Sequence, residues 1–168
     1  MAIANLIIKR QLWLLLVAWA IIGADQAIKN LMIGSLTEGV PQPFIGQLVQ
    51  FNLLYNDSAA FSIGGGATWI FTIISSLAAL ALLYHSRKLQ TTGWSILAGV
   101  LLGGVVGNLI DRLTRSPGFP VGHVVDYIQI PFNFPVFNLA DMAIFFSVSI
   151  AVIRIARGES IGRTKSNG

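Results

Sequence analysis

Two aspartates in the second half of the chain combine the residue type and the surroundings that hydrolysis needs. Asp126 and Asp141 have no Lys or Arg within ten positions, and Asn138, three residues before Asp141, can hydrogen-bond it from the same helical face. Two carboxylates held a few ångströms apart cannot both ionise, so they share one proton. One can then act as general base on water while the other polarises a carbonyl group. The pair predicts peptide hydrolysis without a metal or a covalent intermediate.

Two other aspartates have basic neighbours, and a structural role stays open for both. Asp25 precedes Lys29 by four residues, which is a favourable spacing for an ion pair within a helix. Asp111 lies beside Arg112, four residues before Arg115 and three residues after Asn108. For Asp111, a neutralised cluster that orients the end of a helix is therefore an alternative to a catalytic role.

Other kinds of catalytic centre have weaker support. The chain contains no cysteine, which excludes thiol nucleophiles, cysteine–zinc sites and iron–sulfur clusters. His123 and Asp126 are three residues apart, but a metal site would need at least one further ligand on a matching face. We therefore expect no metal and no other cofactor.

The composition places these residues in a membrane protein. Of the 168 residues, 54% are hydrophobic and 11% are charged, whereas soluble domains carry about 25% charged residues. This composition argues against a soluble globule, a disordered chain and a nucleic-acid-binding protein, despite the net charge of +4.

Four apolar runs are each long enough to cross a bilayer, which takes about 20 helical residues. They extend over about 12–33, 67–84, 94–113 and 136–155. We expect a single membrane domain over residues 1–168, with the fold class of an all-α polytopic membrane protein.

The two longer connections, at about 34–66 and 114–135, are predicted to form a small β-rich subdomain. Residues 47–53 alternate partly between polar and apolar side chains, and residues 124–130 are rich in β-branched and aromatic ones. Both patterns are typical of short strands. We therefore expect four transmembrane helices with a small sheet on the outer membrane face.

The basic residues predict the orientation of the spans. Eight of the eleven Lys and Arg residues lie before the first span, between the second and third, or at and after the end of the fourth, and none occurs within residues 30–86. Cytoplasmic loops carry an excess of basic residues. We therefore expect both termini in the cytoplasm and the two longer connections outside, next to the candidate carboxylates.

A small proton-coupled transporter or channel subunit is the main alternative, because four spans with intramembrane aspartates suit it as well. Transport favours ionisable groups near the bilayer midplane, whereas these carboxylates concentrate at one edge. A non-enzymatic assembly protein is a further alternative. It rests on Gly99, Gly103 and Gly107, whose four-residue spacing is typical of helix packing in membranes.

Five short motifs, in this order, resemble those of the bacterial lipoprotein signal peptidase (signal peptidase II) family. They are DQAIK at 25–29, NDSAAFS at 56–62, GNLIDR at 107–112, VVDY at 124–127 and FNLAD at 137–141. The resemblance extends over roughly residues 12–155. One position departs from the family pattern, since Ser58 stands where the family usually has glycine.

This resemblance implies an aspartic endopeptidase, multi-pass in the bacterial cytoplasmic membrane, with its active site toward the outer face. It implies Asp126 and Asp141 as the catalytic pair, in agreement with their surroundings. The implied supporting or substrate-binding residues are Asp25, Lys29, Asn56, Asn108, Asp111, Arg112 and Asn138. The implied substrate is a prolipoprotein whose cysteine carries a diacylglyceryl group, cut just before that cysteine. Membrane lipid and globomycin-type cyclic depsipeptide inhibitors are the other implied partners.

Overall fold

The computed structural model describes residues 2–57 and 68–162, with side chains from residue 5 onward. Ser58 lies outside the described residues, as do the last part of the predicted 34–66 connection and the predicted first residue of the second span.

Four helices account for most of the described chain. They are α1 (Ala2–Ser35), α2 (Thr68–His85), α3 (Thr92–Thr114) and α4 (Leu139–Ala156). Each is long and apolar enough to cross a membrane, and together with the small sheet they confirm the predicted fold class. The helix α1 begins well before the predicted run at 12, because the apolar residues that precede Lys9 continue the helix. The orientation of the helices across the membrane stays a prediction.

The helix α3 lies at the centre of the bundle and packs against α1, α2 and α4. Its glycines allow close approach. A Cβ atom at Gly99 would lie 2.6 Å from the Leu14 carbonyl oxygen, and one at Gly103 would lie 2.6 Å from the Ile21 Cβ. The predicted small-residue packing face is thereby confirmed, and its partner is α1.

Three antiparallel strands form one sheet in the order β1 (Gln42–Ile45), β2 (Val49–Asn56) and β3 (Val124–Gln129). The predicted strands at 47–53 and 124–130 correspond to β2 and β3. In their register, Leu54 pairs with Asp126 and Asn56 pairs with Val124. This pairing brings Asn56 beside Asp126 although 70 residues separate them in the chain.

Candidate active site

Asp126 and Asp141 line one cavity of about 670 Å³ between the sheet, the C-terminal part of α3 and the N-terminal part of α4. Asp126 comes from the middle of β3, and Asp141 comes from the first turn of α4. The rest of the polar wall is formed by Asn56, Asn108 and Arg112, and the apolar wall includes Ile130, residues 134–137, Met142, Phe145 and Phe146. The two aspartates selected from the sequence therefore share a mostly apolar pocket.

Asn138 connects the two carboxylates. Its Nδ2 donates a hydrogen bond to Asp126 Oδ1 at 2.6 Å, and its backbone N–H donates to Asp141 Oδ2 at 3.2 Å. Its Oδ1 accepts from the backbone N–H of Asp141 at 2.9 Å, so Asn138 and Asp141 form a capping box at the start of α4. The predicted contact is thus present, but Asn138 caps the helix instead of sharing a face with Asp141.

Two further side-chain amides complete the coordination of the carboxylates. Asn56 Nδ2 donates to Asp126 Oδ2 at 2.8 Å, and Asn108 Nδ2 donates to Asp141 Oδ1 at 2.7 Å. Each of the four carboxylate oxygens of the pair therefore accepts an N–H group. These bonds fix the orientation of both carboxylates before any substrate arrives.

The surroundings of Asp126 favour its protonated form. Burial raises the pKa of Asp126 to about 7, the neighbouring Asp141 carboxylate adds to the rise, and the amides of Asn56 and Asn138 oppose it. At neutral pH this side chain is therefore protonated for a large part of the time. A carboxylate pair that shares one proton has this property.

A buried, charge-balanced cluster lies behind the pair and joins α1 to α3. Lys29 Nζ is 2.9 Å from Asp25 Oδ2 and 2.7 Å from Asp111 Oδ2. Arg115 Nε is 2.6 Å from Asp111 Oδ1. The negative charges of Asp25 and Asp111 are therefore balanced by the positive charges of Lys29 and Arg115. Lys29 Nζ also donates to Asn108 Oδ1 at 2.9 Å, and so connects the cluster to the amide that holds the second carboxylate of the pair. The predicted Asp25–Lys29 pair and the neutralised cluster at Asp111 are both present.

The start of α4 is held from other parts of the fold. The first backbone N–H groups of a helix have no partner within the helix. Here Leu139 N–H donates to the Tyr127 hydroxyl at 3.2 Å, and Ala140 N–H donates to Asp25 Oδ1 at 3.1 Å. With the cap described above, β3 and α1 together fix the position of Asp141.

Arg112, which follows Asp111 in the sequence, forms no salt bridge with any residue that the structure describes and is not part of the charge-balanced cluster. Its side chain lines the cavity and lies 5.4 Å from the Phe71 ring centroid. Its Nη1 is buried and has no hydrogen-bond partner within residues 2–57 and 68–162. Buried donors in proteins are nearly always satisfied, so this unpartnered N–H group on a residue that lines the cavity is an exception.

Sequence reasoning did not assign Gln26 or Tyr127 to the site. Gln26 Nε2 donates to the Gly107 carbonyl at 3.0 Å and to Asp111 Oδ1 at 3.1 Å. Both residues lie inside the family-like motifs, which was the only sequence signal for them. Among the described residues, no three His, Asp or Glu side chains are grouped to hold a metal ion.

The fold and this cavity define a polytopic membrane protein with a buried carboxylate site at one end of a four-helix bundle. The family model described as signal peptidase (SPase) II matches residues 17–157. The chain therefore belongs to the signal peptidase II family, and it is a protease and a multi-pass bacterial membrane protein.

Individual relatives agree with this assignment. The chain is 44% identical over 145 residues to the lipoprotein signal peptidase of Leifsonia xyli subsp. xyli (strain CTCB07). The aligned residues make up 86% of this chain and 67% of that protein. It is 37% identical over 160 residues to the lipoprotein signal peptidase of Mycobacterium avium (strain 104). This alignment includes 94% of this chain and 87% of that protein. A solved structure described as a bacterial membrane enzyme matches with a TM-score of 0.76 and 26% identity, over 92% of this chain and 94% of that chain.

Proposed function

We propose that the chain is an aspartic endopeptidase that removes the signal peptide from diacylglyceryl-modified prolipoproteins, cutting just before the lipidated cysteine. Membership of the signal peptidase II family supports the substrate class. The observation that carries the aspartic mechanism is the shared cavity in which Asn138 connects Asp126 and Asp141.

In the proposed reaction a water molecule lies between the two carboxyl groups. Asp141, ionised, takes a proton from the water, whose oxygen attacks the carbonyl carbon of the scissile peptide bond. Asp126, protonated, gives its proton to the carbonyl oxygen, and a tetrahedral diol forms. When the C–N bond breaks, the leaving nitrogen takes the proton from Asp141 and Asp126 regains its own. The raised pKa of Asp126 supports its role as the acid.

Arg112 is proposed to bind the substrate beside the reacting bond. Its side chain lines the cavity, and its buried Nη1 has no acceptor among the described residues. In the proposal, the guanidinium donates a hydrogen bond to a peptide carbonyl oxygen of the substrate. Asn56 and Asn108 hold the carboxylates in the proposal, and Asp25, Lys29 and Asp111 support α1, α3 and the start of α4.

The apolar wall is proposed to receive the lipid and the signal helix. Phe145 and Phe146 line the cavity, and their side chains are 66% and 52% exposed. The cavity therefore reaches the surface that would contact lipid tails. We propose that the site faces the outer leaflet and that globomycin-type cyclic depsipeptides compete for the same cavity.

The purified chain in detergent should cleave a lipidated prolipoprotein and leave the same protein without lipid intact. Mass spectrometry of the product should show the lipidated cysteine as its first residue. EDTA should not change the rate, because the proposed reaction uses no metal ion. Cleavage at another position, equal cleavage of the unlipidated protein, or strong inhibition by EDTA would contradict the proposal.

A further inference from the structure

The end of the bundle opposite the candidate active site carries concentrated positive charge. We call the following residues the basic face: Lys9, Arg10, Arg87, Lys88, Arg154 and Arg157. Glu159 is the one carboxylate side chain near them among the described residues. None of these residues takes part in the proposed cleavage.

Three separate segments meet at the basic face. Arg10 Nη1 donates to the Leu89 carbonyl at 3.3 Å, and the backbone N–H of Gln90 donates to the Ile161 carbonyl at 3.4 Å. These bonds join the first part of α1, the connection between α2 and α3, and the segment after α4. Cations that are far apart in the sequence therefore lie at one end of the molecule.

Most of this charge is not neutralised within the described chain. Arg154 is paired, since its Nη2 lies 2.6 Å from Glu159 Oε2 and its guanidinium lies 4.2 Å from the Trp94 ring centroid. The side chains that are exposed and form no salt bridge within residues 2–57 and 68–162 are Lys9, Arg87, Lys88 and Arg157. The basic face therefore has the charge to attract an anion from outside the protein.

The position of these cations indicates which kind of anion binds the basic face. Tyr84, in the last turn of α2, is 73% exposed, and Lys88 Nζ lies 6.0 Å from its ring centroid. Exposed tyrosines at the ends of membrane helices lie at the level of lipid headgroups, and basic clusters just beyond such helices attract anionic lipids. We propose that the basic face binds the phosphate headgroups of anionic glycerophospholipids. This binding does not depend on the proposed cleavage reaction.

The full chain in a neutral detergent should be titrated with phosphatidylglycerol, with phosphatidylcholine and with soluble glycerol phosphate. Phosphatidylglycerol should raise the thermal unfolding midpoint, because a ligand that binds the folded state stabilises it. The other two should have little effect, and raising the salt from about 0.15 M to about 1 M should weaken the response. Equal responses to the two lipids would overturn the proposal, and so would a response to glycerol phosphate equal to that of phosphatidylglycerol, which would indicate a free-phosphate site instead.

Charge variants separate lipid binding from a role in membrane insertion alone. The double variant Arg87→Gln/Lys88→Gln should bind phosphatidylglycerol about thirtyfold more weakly, since each surface cation contributes about 1 kcal/mol. Arg87→Lys keeps the charge and should bind like the parent chain. If the double variant does not fold, Arg157→Gln provides the same comparison with one charge removed. Unchanged affinity in a folded charge-removal variant would contradict the proposal.

Discussion

Asp126 is a weaker acid than an ordinary aspartate because it is buried beside a second carboxyl group. Three amide groups from β2, α3 and the cap of α4 hold the pair, and each comes from a different part of the chain. The amides orient the carboxylates without neutralising them. A pair of this kind retains a proton at neutral pH, which the proposed acid needs.

The pH dependence of cleavage should follow the protonation of Asp126. Its pKa is raised to about 7, so the protonated acid is present below that value and is lost as the pH rises through it. The rate should therefore fall on the alkaline side with an apparent pKa near 7. Because the Asn56 amide lowers the pKa of Asp126, Asn56→Ala should move this fall to higher pH.

The control for this pH profile is His123→Gln. Histidine also titrates near neutral pH, but His123 does not line the cavity of the pair. Its replacement should leave the alkaline fall in place. A profile that moves with His123→Gln and not with Asn56→Ala would contradict the assignment of the acid.

At the scale of elements, the contact between α1 and α3 depends on glycine. Replacing Gly99 by alanine places a Cβ atom 2.6 Å from the Leu14 carbonyl oxygen, so the two helices must separate. Overpacking of this kind lowers stability by about 1–3 kcal/mol, which thermal or denaturant unfolding in detergent would measure. Gly23→Ala is the matched control, since its Cβ would meet no atom within 4 Å. Equal stability of the two variants would argue against a tight α1–α3 contact.

Sequence patterns predicted which segments form helices and strands better than they predicted which residues of different segments contact each other. The apolar runs and the strand-like segments before Asn56 and around Asp126 follow from local periodicity, and both are present. The strand β1 was not predicted, because its four residues are all exposed and include Pro43. The hydrogen bond from Asn138 to Asp126 and the ion pair of Lys29 with Asp111 depend on packing between different elements. Local spacing does not encode such contacts, although the family-like motifs named the residues that make them.

At the scale of the whole molecule, Lys29 connects the bundle to the site. Its ammonium group and both of its carboxylate partners, Asp25 and Asp111, have no exposed side-chain surface. Removing one partner from a buried ion pair destabilises a protein by about 3–5 kcal/mol. Lys29→Met should therefore unfold at much lower denaturant concentration, whereas Lys88→Met, at an exposed position, should not. Similar stability of both variants would contradict the structural role of the cluster.

The proposed orientation across the membrane can be tested with single cysteines, because the chain has none of its own. Leu48 is 68% exposed next to β2, and Lys88 is exposed at the opposite end of the bundle. In spheroplasts, a membrane-impermeant maleimide should label Leu48→Cys directly and Lys88→Cys only after permeabilisation. The reverse labelling pattern would show that the candidate site faces the cytoplasm.

The most direct test of the account compares Asp126→Asn and Asp141→Asn with the parent chain in the cleavage of a lipidated prolipoprotein. Asparagine keeps the shape of each side chain and removes its acid–base function. We predict that each variant stays folded, as judged by its unfolding midpoint, and loses at least about a hundredfold in kcat. Turnover at the parental rate by either folded variant would contradict the claim that the two carboxyl groups together activate water.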